Sequence, residues 1–301
     1  MHSNLPISMK KLIPVIILLI IAVVAIVVLM RDNRINDELK IVTTFYPPAE
    51  FAAQIAKEKI NVINITSGGI EPHDFEPSPK DLVEIQNADL FIINGNDFDT
   101  WAEELADDNK EINVLKLSEH VNSELSASDP HFWLDPVHSI DLVKTISKKI
   151  IDIDPKNRDF YQKNTTQYIE ELDELNKEFQ TELAACTNRK IVVSHDAFSY
   201  LSNRYSFEII NIAGLSPEEE PSAKTLTEIS NTVTENGIKY IFYETLVSSD
   251  LANTIADETG ASTLVLNPLE GLTPEEISNG ENYVSIMRNN LNNLKVAMEC
   301  K

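Results

Sequence analysis

Six histidines occur in the 301 residues, at positions 2, 73, 120, 131, 138 and 195, and three of them sit where sites are commonly built. His73 lies in SGGIEPHDFEPSPKDL (67–82). There Pro72, Pro77 and Pro79 fix φ and withdraw backbone donors, and Gly68 and Gly69 permit unusual turns, so the loop is stiff. His131 lies in SDPHFWLDP, and His195 ends the β-branched run KIVVSH. Three neutral imidazoles joined by a carboxylate would form a tetrahedral, borderline-soft site suited to Zn²⁺. Spread over about 120 residues, the three lack the close spacing that makes a zinc motif specific, and a solvated loop histidine is the ordinary alternative for each. Of the others, His138 in WLDPVHSIDLV reads as a surface or packing residue on a helix. His120 reads as solvated loop, and Trp133 as core.

The elements that must position these residues follow a repeated grammar. KIVTTF, INVINI, DLFIING and INVLKL read as strands, and PPAEFAAQIAKEK, SPKDLVEIQNA and DFDTWAEELADD between them as helices. The same alternation returns in KIVVSH, FEIINI, KYIFYE and STLVLN, with PSAKTLTEISNTVTEN, SSDLANTIADET and ENYVSIMRNNLNNLKVAM as helices. Strands alternating with helices predict parallel sheets flanked by helices, hence two α/β lobes. Between them Tyr161, Tyr168, Leu172, Leu175, Phe179 and Leu183 recur at three, four or seven without an intervening glycine, which predicts one long rigid amphipathic helix. The expected layout is an N-terminal segment 1–39, a first lobe 40–153, a connecting helix 154–186 and a second lobe 187–301. Ligands of such folds bind beyond the carboxyl ends of strands, so His73, after the second strand, His131, after the fourth, and His195 face the expected cleft. Asp74 and Asp196 follow two of these histidines directly and are placed to orient imidazoles, with helix capping the alternative role of Asp196. Glu244, at the end of KYIFYE, points to the same cleft by position.

Residues 12–30 are 19 residues without a charge, preceded by Lys10 and Lys11, long enough to cross a bilayer as a helix. The expectation is an uncleaved N-terminal transmembrane anchor with residues 40–301 outside the cytoplasm; secretion after signal cleavage is the alternative. No cysteine lies near the span, which excludes thioether lipidation there. The chain carries −23 at pH 7; five basic and three acidic residues fall within 1–40, leaving 20 basic against 45 acidic and −25 on the rest. Such a surface excludes nucleic acid as a partner. Cys186 and Cys300 close the connecting helix and the last helix, and an oxidising compartment would let them form one disulfide.

GGIEPHDFEPSPKDL, DPHFWLDP, VVSHDAFSYLSNRYSFE and LVLNPLEGLTPEE resemble, in order and over about residues 40–300, the signature segments of the zinc and manganese substrate-binding proteins of ABC transporters, especially the zinc-specific branch. The resemblance implies two α/β lobes on a rigid helix, one metal held in the cleft, no catalysis, and an ABC permease as partner of a monomer. Matched residue by residue, the family's three metal histidines fall on His73, His131 and His195. In members with NPLEGLT the fourth ligand is its glutamate, here Glu270; other members place an aspartate slightly earlier, where this chain has Asn267. The long His- and Asp-rich loop of many zinc importers is replaced by the short LSEHVNSELSASDP.

The expected function is therefore capture of Zn²⁺ and its delivery to a permease for import. A manganese-binding member, or a surface adhesin or metal sensor on the same fold, is the alternative. Mn²⁺ prefers more oxygen than three imidazoles leave. A zinc hydrolase would need an open coordination position and a general base, and no H-E-x-x-H element is present.

Overall fold

The structure, a computed structural model, describes residues 39–122 and 129–301. The apolar run 12–30 and most of the segment between His120 and Asp129 lie outside the described residues. Among the described residues no helix is long and apolar enough to cross a membrane.

Two four-stranded parallel sheets form, with the same order. The first contains β1 (Lys40–Thr43), β2 (Asn61–Asn64), β3 (Leu90–Ile93) and β4 (Val114–Lys116) in the order β2-β1-β3-β4. The second contains β5 (Lys190–Val193), β6 (Glu208–Asn211), β7 (Tyr240–Tyr243) and β8 (Ser262–Val265) in the order β6-β5-β7-β8. Central strands of a parallel sheet are covered on both faces and therefore read as unbroken apolar runs. Leu90, Phe91, Ile92 and Ile93 of β3 are all buried, and so are Ile191, Val192 and Val193 of β5. Pairing is in register, with Val42 beside Ile63 and Phe91, and Val192 beside Ile210 and Ile241.

Helices α1 (Tyr46–Ala56), α2 (Pro79–Gln86) and α3 (Thr100–Asp108) belong to the first lobe. The second holds α6 (Ser199–Tyr205), α7 (Ala223–Glu235), α8 (Asp250–Thr259), α9 (Pro274–Ser278) and α10 (Tyr283–Ala297). Helix α4 (Pro136–Ile153) ends the first half of the chain, and α5 (Arg158–Leu183) runs between the lobes. At about 1.5 Å per residue, the 26 residues of α5 span roughly 39 Å. All six apolar positions expected to face inward are buried, together with Asn164 and Thr165. The connection is thicker than a single helix, because α4 lies against α5. Ser147 and Thr165 share a hydroxyl hydrogen bond of 2.7 Å, and Tyr161 donates to Asp154 across the turn at 2.5 Å.

Helix α5 is gripped from both lobes. Asn164 donates to Ile55 O at the end of α1, Phe179 stacks on Tyr205 with centroids 5.0 Å apart, and Arg288 of α10 forms a two-pronged pair with Glu178. Cys186 and Cys300 are disulfide-bonded, closing α10 onto the end of α5.

Candidate metal centre

His73, His195 and Glu270 each lie on a loop that leaves the carboxyl end of a strand, and His131 sits directly before the short helical turn Phe132–Leu134. His73 follows β2 on a loop where Gly68 and Gly69 adopt φ of 88° and 84°. A Cβ placed on Gly69 would stand 3.5 Å from the Pro274 ring, so this loop passes close to the start of α9 in the other lobe. Beyond His73, Ser78 and Asp81 form a reciprocal capping box with Pro79 at the first helical position, which fixes where α2 begins. His195 ends β5. Glu270 follows β8 in a loop that Asn267 organises. Its side-chain oxygen accepts from Leu269 N at 2.7 Å and its amide donates to Thr245 and Glu276, while Asn290 clasps its backbone on both sides. Leu269 is thereby held at φ 60°, a left-handed conformation that an apolar side chain adopts only under such restraint.

The four side chains converge. Glu270 Oε1 lies 3.3 Å from His73 Nε2, 3.4 Å from His131 Nε2 and 3.3 Å from His195 Nε2, and the first two imidazole nitrogens are 3.4 Å apart. The centre of a regular tetrahedron lies at about 0.61 of its edge from each corner. A tetrahedron with edges of 3.3–3.4 Å, the length of these four separations, has its centre roughly 2.0–2.1 Å from each corner, the bond length Zn²⁺ takes with nitrogen and carboxylate oxygen, and all four donor atoms lie within 4.8 Å of one another. His131, His195 and Glu270 are fully or almost fully buried. His195 Nε2, although close to Glu270, makes no hydrogen bond.

Two of the rings are steered from behind by carboxylates. His131 Nδ1 meets Asp129 Oδ1 at 2.8 Å, and His195 Nδ1 meets Glu244 Oε1 at 2.6 Å. An Nδ1–H donated to a carboxylate leaves the Nε2 lone pair free to face the centre, and it raises the basicity of the ring. The protonation states follow this wiring. Burial disfavours a charged His131, but its hydrogen bonds to Asp129 and Glu270 prevail and hold it above the ordinary imidazole value. Burial likewise opposes charge on His195, yet the charges of Glu244 and Glu270 carry it well above that value. Burial would raise Glu270, and the surrounding imidazoles, His195 foremost, hold it well below the ordinary carboxylate range. The buried Glu270 carboxylate thus favours protons on His131 and His195.

Glu244 follows β7 directly and lies against His195 Nδ1. Asp129 has no counterpart among the expected residues; nothing in the sequence distinguishes a carboxylate two residues before a loop histidine from a turn aspartate. Glu71 was also unforeseen. Its carboxylate accepts the backbone amides of His73 and Asp74, and burial together with the charge of Glu270 pushes it up to about 7. The other expected orienting residues turn elsewhere. Asp74 is exposed. Asp196 accepts the Ser199 hydroxyl rather than capping α6, whose N-cap is Phe198 without a side-chain bond. Asn267 spends its hydrogen bonds on Leu269, Thr245, Glu276 and Asn290. His138 packs edge-on against Tyr200 at 5.4 Å, and His120 is exposed.

The segment carrying His131 is fastened from the second lobe. Trp133, in the core, donates from Nε1 to Pro268 O at 2.8 Å, and its carbonyl accepts from Tyr283 OH at 2.6 Å. Tyr200 OH donates to Asp129 O, and Arg204 pairs with Asp135, the cap of α4.

A family model described as "ZnuA: Zinc-uptake complex component A periplasmic" matches residues 41–297. The chain belongs to this zinc-uptake family. Among its relatives is the high-affinity zinc uptake system protein ZnuA of Bacillus subtilis (strain 168), 39% identical over 285 residues that cover 88% of this chain and 89% of that protein. The zinc-binding lipoprotein AdcA of Streptococcus pneumoniae is 39% identical over 279 residues; these are 86% of this chain and 56% of AdcA, so the chain spans about half of that relative. A Zn(II)-bound crystal structure of the ZnuA-like domain of AdcA resembles this chain with a TM-score of 0.78 at 40% identity, covering 87% of this chain and 99% of the domain. The laminin-binding protein Lmb of Streptococcus agalactiae, described as a bifunctional protein with adhesin and metal transporting activity, has a TM-score of 0.78 at 33% identity, covering 86% and 99%.

Proposed function

We propose that His73, His131, His195 and Glu270 together bind one Zn²⁺ between the lobes, and that the protein captures this ion outside the cytoplasm and delivers it to an ABC permease for import. The observation that carries the reading is the convergence of four donor atoms, with Glu270 Oε1 3.3–3.4 Å from each imidazole Nε2 and two of the imidazoles steered by carboxylates, in a member of the zinc-uptake family. The zinc is cargo, and the protein is a binding component and not an enzyme. Four protein donors complete the shell that a hydrolytic zinc would leave open for water. Mn²⁺, low in the Irving–Williams order and oxygen-seeking, is a weaker fit to three nitrogens and one carboxylate.

In this reading the apolar run 12–30 anchors a monomer to the membrane, and residues 40–153 and 187–301 form the two jaws on the 154–186 connection. Adhesion is a second reading, favoured by the likeness to the bifunctional Lmb alone. The deciding test is calorimetric titration of the chelator-stripped full chain with Zn²⁺ and with Mn²⁺. One tight zinc site with much weaker manganese binding is expected; zinc binding no tighter than micromolar would remove the reading. Zinc uptake that persists in cells lacking the protein but retaining the permease would favour adhesion instead.

A further inference from the structure

The turn after β3 places three successive residues in the left-handed region, Gly95, Asn96 and Asp97, at φ of 78°, 61° and 61°. Non-glycine residues hold such conformations where their surroundings over-determine them, often beside functional sites. A Cβ on Gly95 would also collide with the Lys116 side chain and stand 2.5 Å from Ser118 Oγ, so any larger residue would have to displace both side chains as well as adopt the left-handed conformation. What over-determines the turn is Asp99. Its buried carboxylate accepts from Thr44 Oγ1 at 2.6 Å, Asn94 N at 2.7 Å and Gly95 N at 2.7 Å. The Asn94 amide in turn donates to Pro130 O at 3.1 Å, one residue before His131.

The side chain this knot delivers is Phe98, which is 3% exposed. Its ring stands edge-on to His73 with centroids 4.6 Å apart and 6.2 Å from His131, and it is backed by Phe45 at 4.6 Å and Trp133 at 5.1 Å.

The geometry points to Phe98, aimed by Asp99, as a specificity-determining residue of the metal site: an apolar wall on the first-lobe side that keeps the bound ion four-coordinate. This rests on the zinc reading above. Zn²⁺ is satisfied by four donors, whereas an ion that favours six oxygen-rich ligands must recruit water through a face of the tetrahedron. A phenyl ring packed against two of the imidazoles supplies no ligand, occupies the space that water would need, and fixes the tilt of the His73 ring.

The test uses Co²⁺, whose visible d–d bands are intense in tetrahedral sites and weak at five or six ligands, on the metal-stripped full chain, alongside Zn²⁺ and Mn²⁺ titrations. The unaltered protein is expected to give the intense spectrum; if it does not, the four-ligand reading fails before Phe98 is in question. Phe98→Ala is expected to weaken the bands and to narrow the zinc-over-manganese preference by roughly 10-fold or more, on the scale of the 10–100-fold affinity losses that follow removal of a residue orienting a ligand. Phe98→Leu, which keeps apolar bulk, is expected to retain the intense bands. Should Phe98→Ala not fold, Asp99→Asn, which keeps the phenyl group but releases the turn that aims it at His73, must produce the same spectral change. Intense bands and an unaltered metal preference in Phe98→Ala, or in Asp99→Asn where the former is unfolded, would overturn the proposal.

Discussion

His131 and His138 stand seven residues apart, and their surroundings separate their roles. His131 is wholly buried with one nitrogen on Asp129 and the other facing Glu270, while His138 lies beside Tyr200, 3.8 Å from Asp135, and burial lowers its affinity for a proton. His131→Ala is expected to lose more zinc affinity than the 10–100-fold typical of an outer partner, and His138→Ala to lose almost none. Titration of both variants checks this, and comparable losses would undo the ligand assignment. Asp129→Asn and Glu244→Gln are each expected to fall within that 10–100-fold range with the fold intact. The pH dependence has a definite sign. His131 and His195 are held above the usual imidazole value of about 6.5, so the metal-free site carries protons that zinc must displace. Affinity therefore rises with pH, and on acidification it begins to fall above the ordinary histidine range. Glu270, held far below the usual carboxylate range, stays ionised throughout and adds no slope there. Calorimetry in buffers of different ionisation enthalpy should register proton release at neutral pH; no release would contradict the wiring. That His73, His131 and His195 converge was foreshadowed by their places after strands of the α/β lobes, whereas the ligand set itself came from the family resemblance. Asp129 and Phe98 were not foreshadowed, since each acts through a loop conformation that no periodicity encodes.

At the scale of elements, strands and helices followed from apolar runs and caps, but the connection between the lobes did not follow fully. Periodicity picked out α5 by its buried stripe, whereas the partnership of α4 with α5 depends on a turn at Pro155–Asn157 that folds one helix back along the other. A similar tertiary fact governs 129–136, which belongs to the first lobe by sequence and is pinned by Pro268, Tyr283, Tyr200 and Arg204 of the second. Trp133→Phe removes the Nε1–Pro268 bond while keeping most of the ring. A lost buried hydrogen bond costs about 1–3 kcal/mol when its acceptor is left unsatisfied. The variant is therefore expected to melt lower and to bind zinc more weakly, because the segment it loosens carries His131. Full zinc affinity with lowered stability would show that the latch serves the fold alone. The disulfide gives a contrasting case. It joins the ends of α5 and α10, residues 114 apart in sequence, away from the four metal-facing loops. Cys300→Ser is expected to cost roughly 2–4 kcal/mol of stability and to leave zinc affinity unchanged within error, as chemical denaturation paired with titration would reveal.

Across the whole molecule, the two lobes repeat one sheet order and contribute jointly to one site, so zinc binding is linked to the integrity of both. The interface around that site is already closed by packing. Tyr283 at the start of α10 reaches Phe51 of α1, with centroids 5.1 Å apart, and hydrogen-bonds Ser139 and the Trp133 carbonyl, while α5 is held from both sides. Wide hinge opening would expose those aromatic surfaces and break those bonds at once, so metal exchange must be confined to small shifts of loops. The His73 loop is the natural one to move: its imidazole is the most exposed of the four side chains, and its backbone turns through Gly68 and Gly69. Small-angle scattering from the metal-free and zinc-loaded protein should then give the same radius of gyration. Zinc at 100 times its dissociation constant should stabilise the native state by about 2.7 kcal/mol. For a chain of this size that raises the melting temperature by something on the order of 5–10 °C. Because the donors come from both sheets, calorimetry should show the whole described unit shifting together. A large change in radius, or a melting profile in which only one of two transitions responds to zinc, would mean that the lobes move or unfold independently and that the packed interface does not transmit the binding energy.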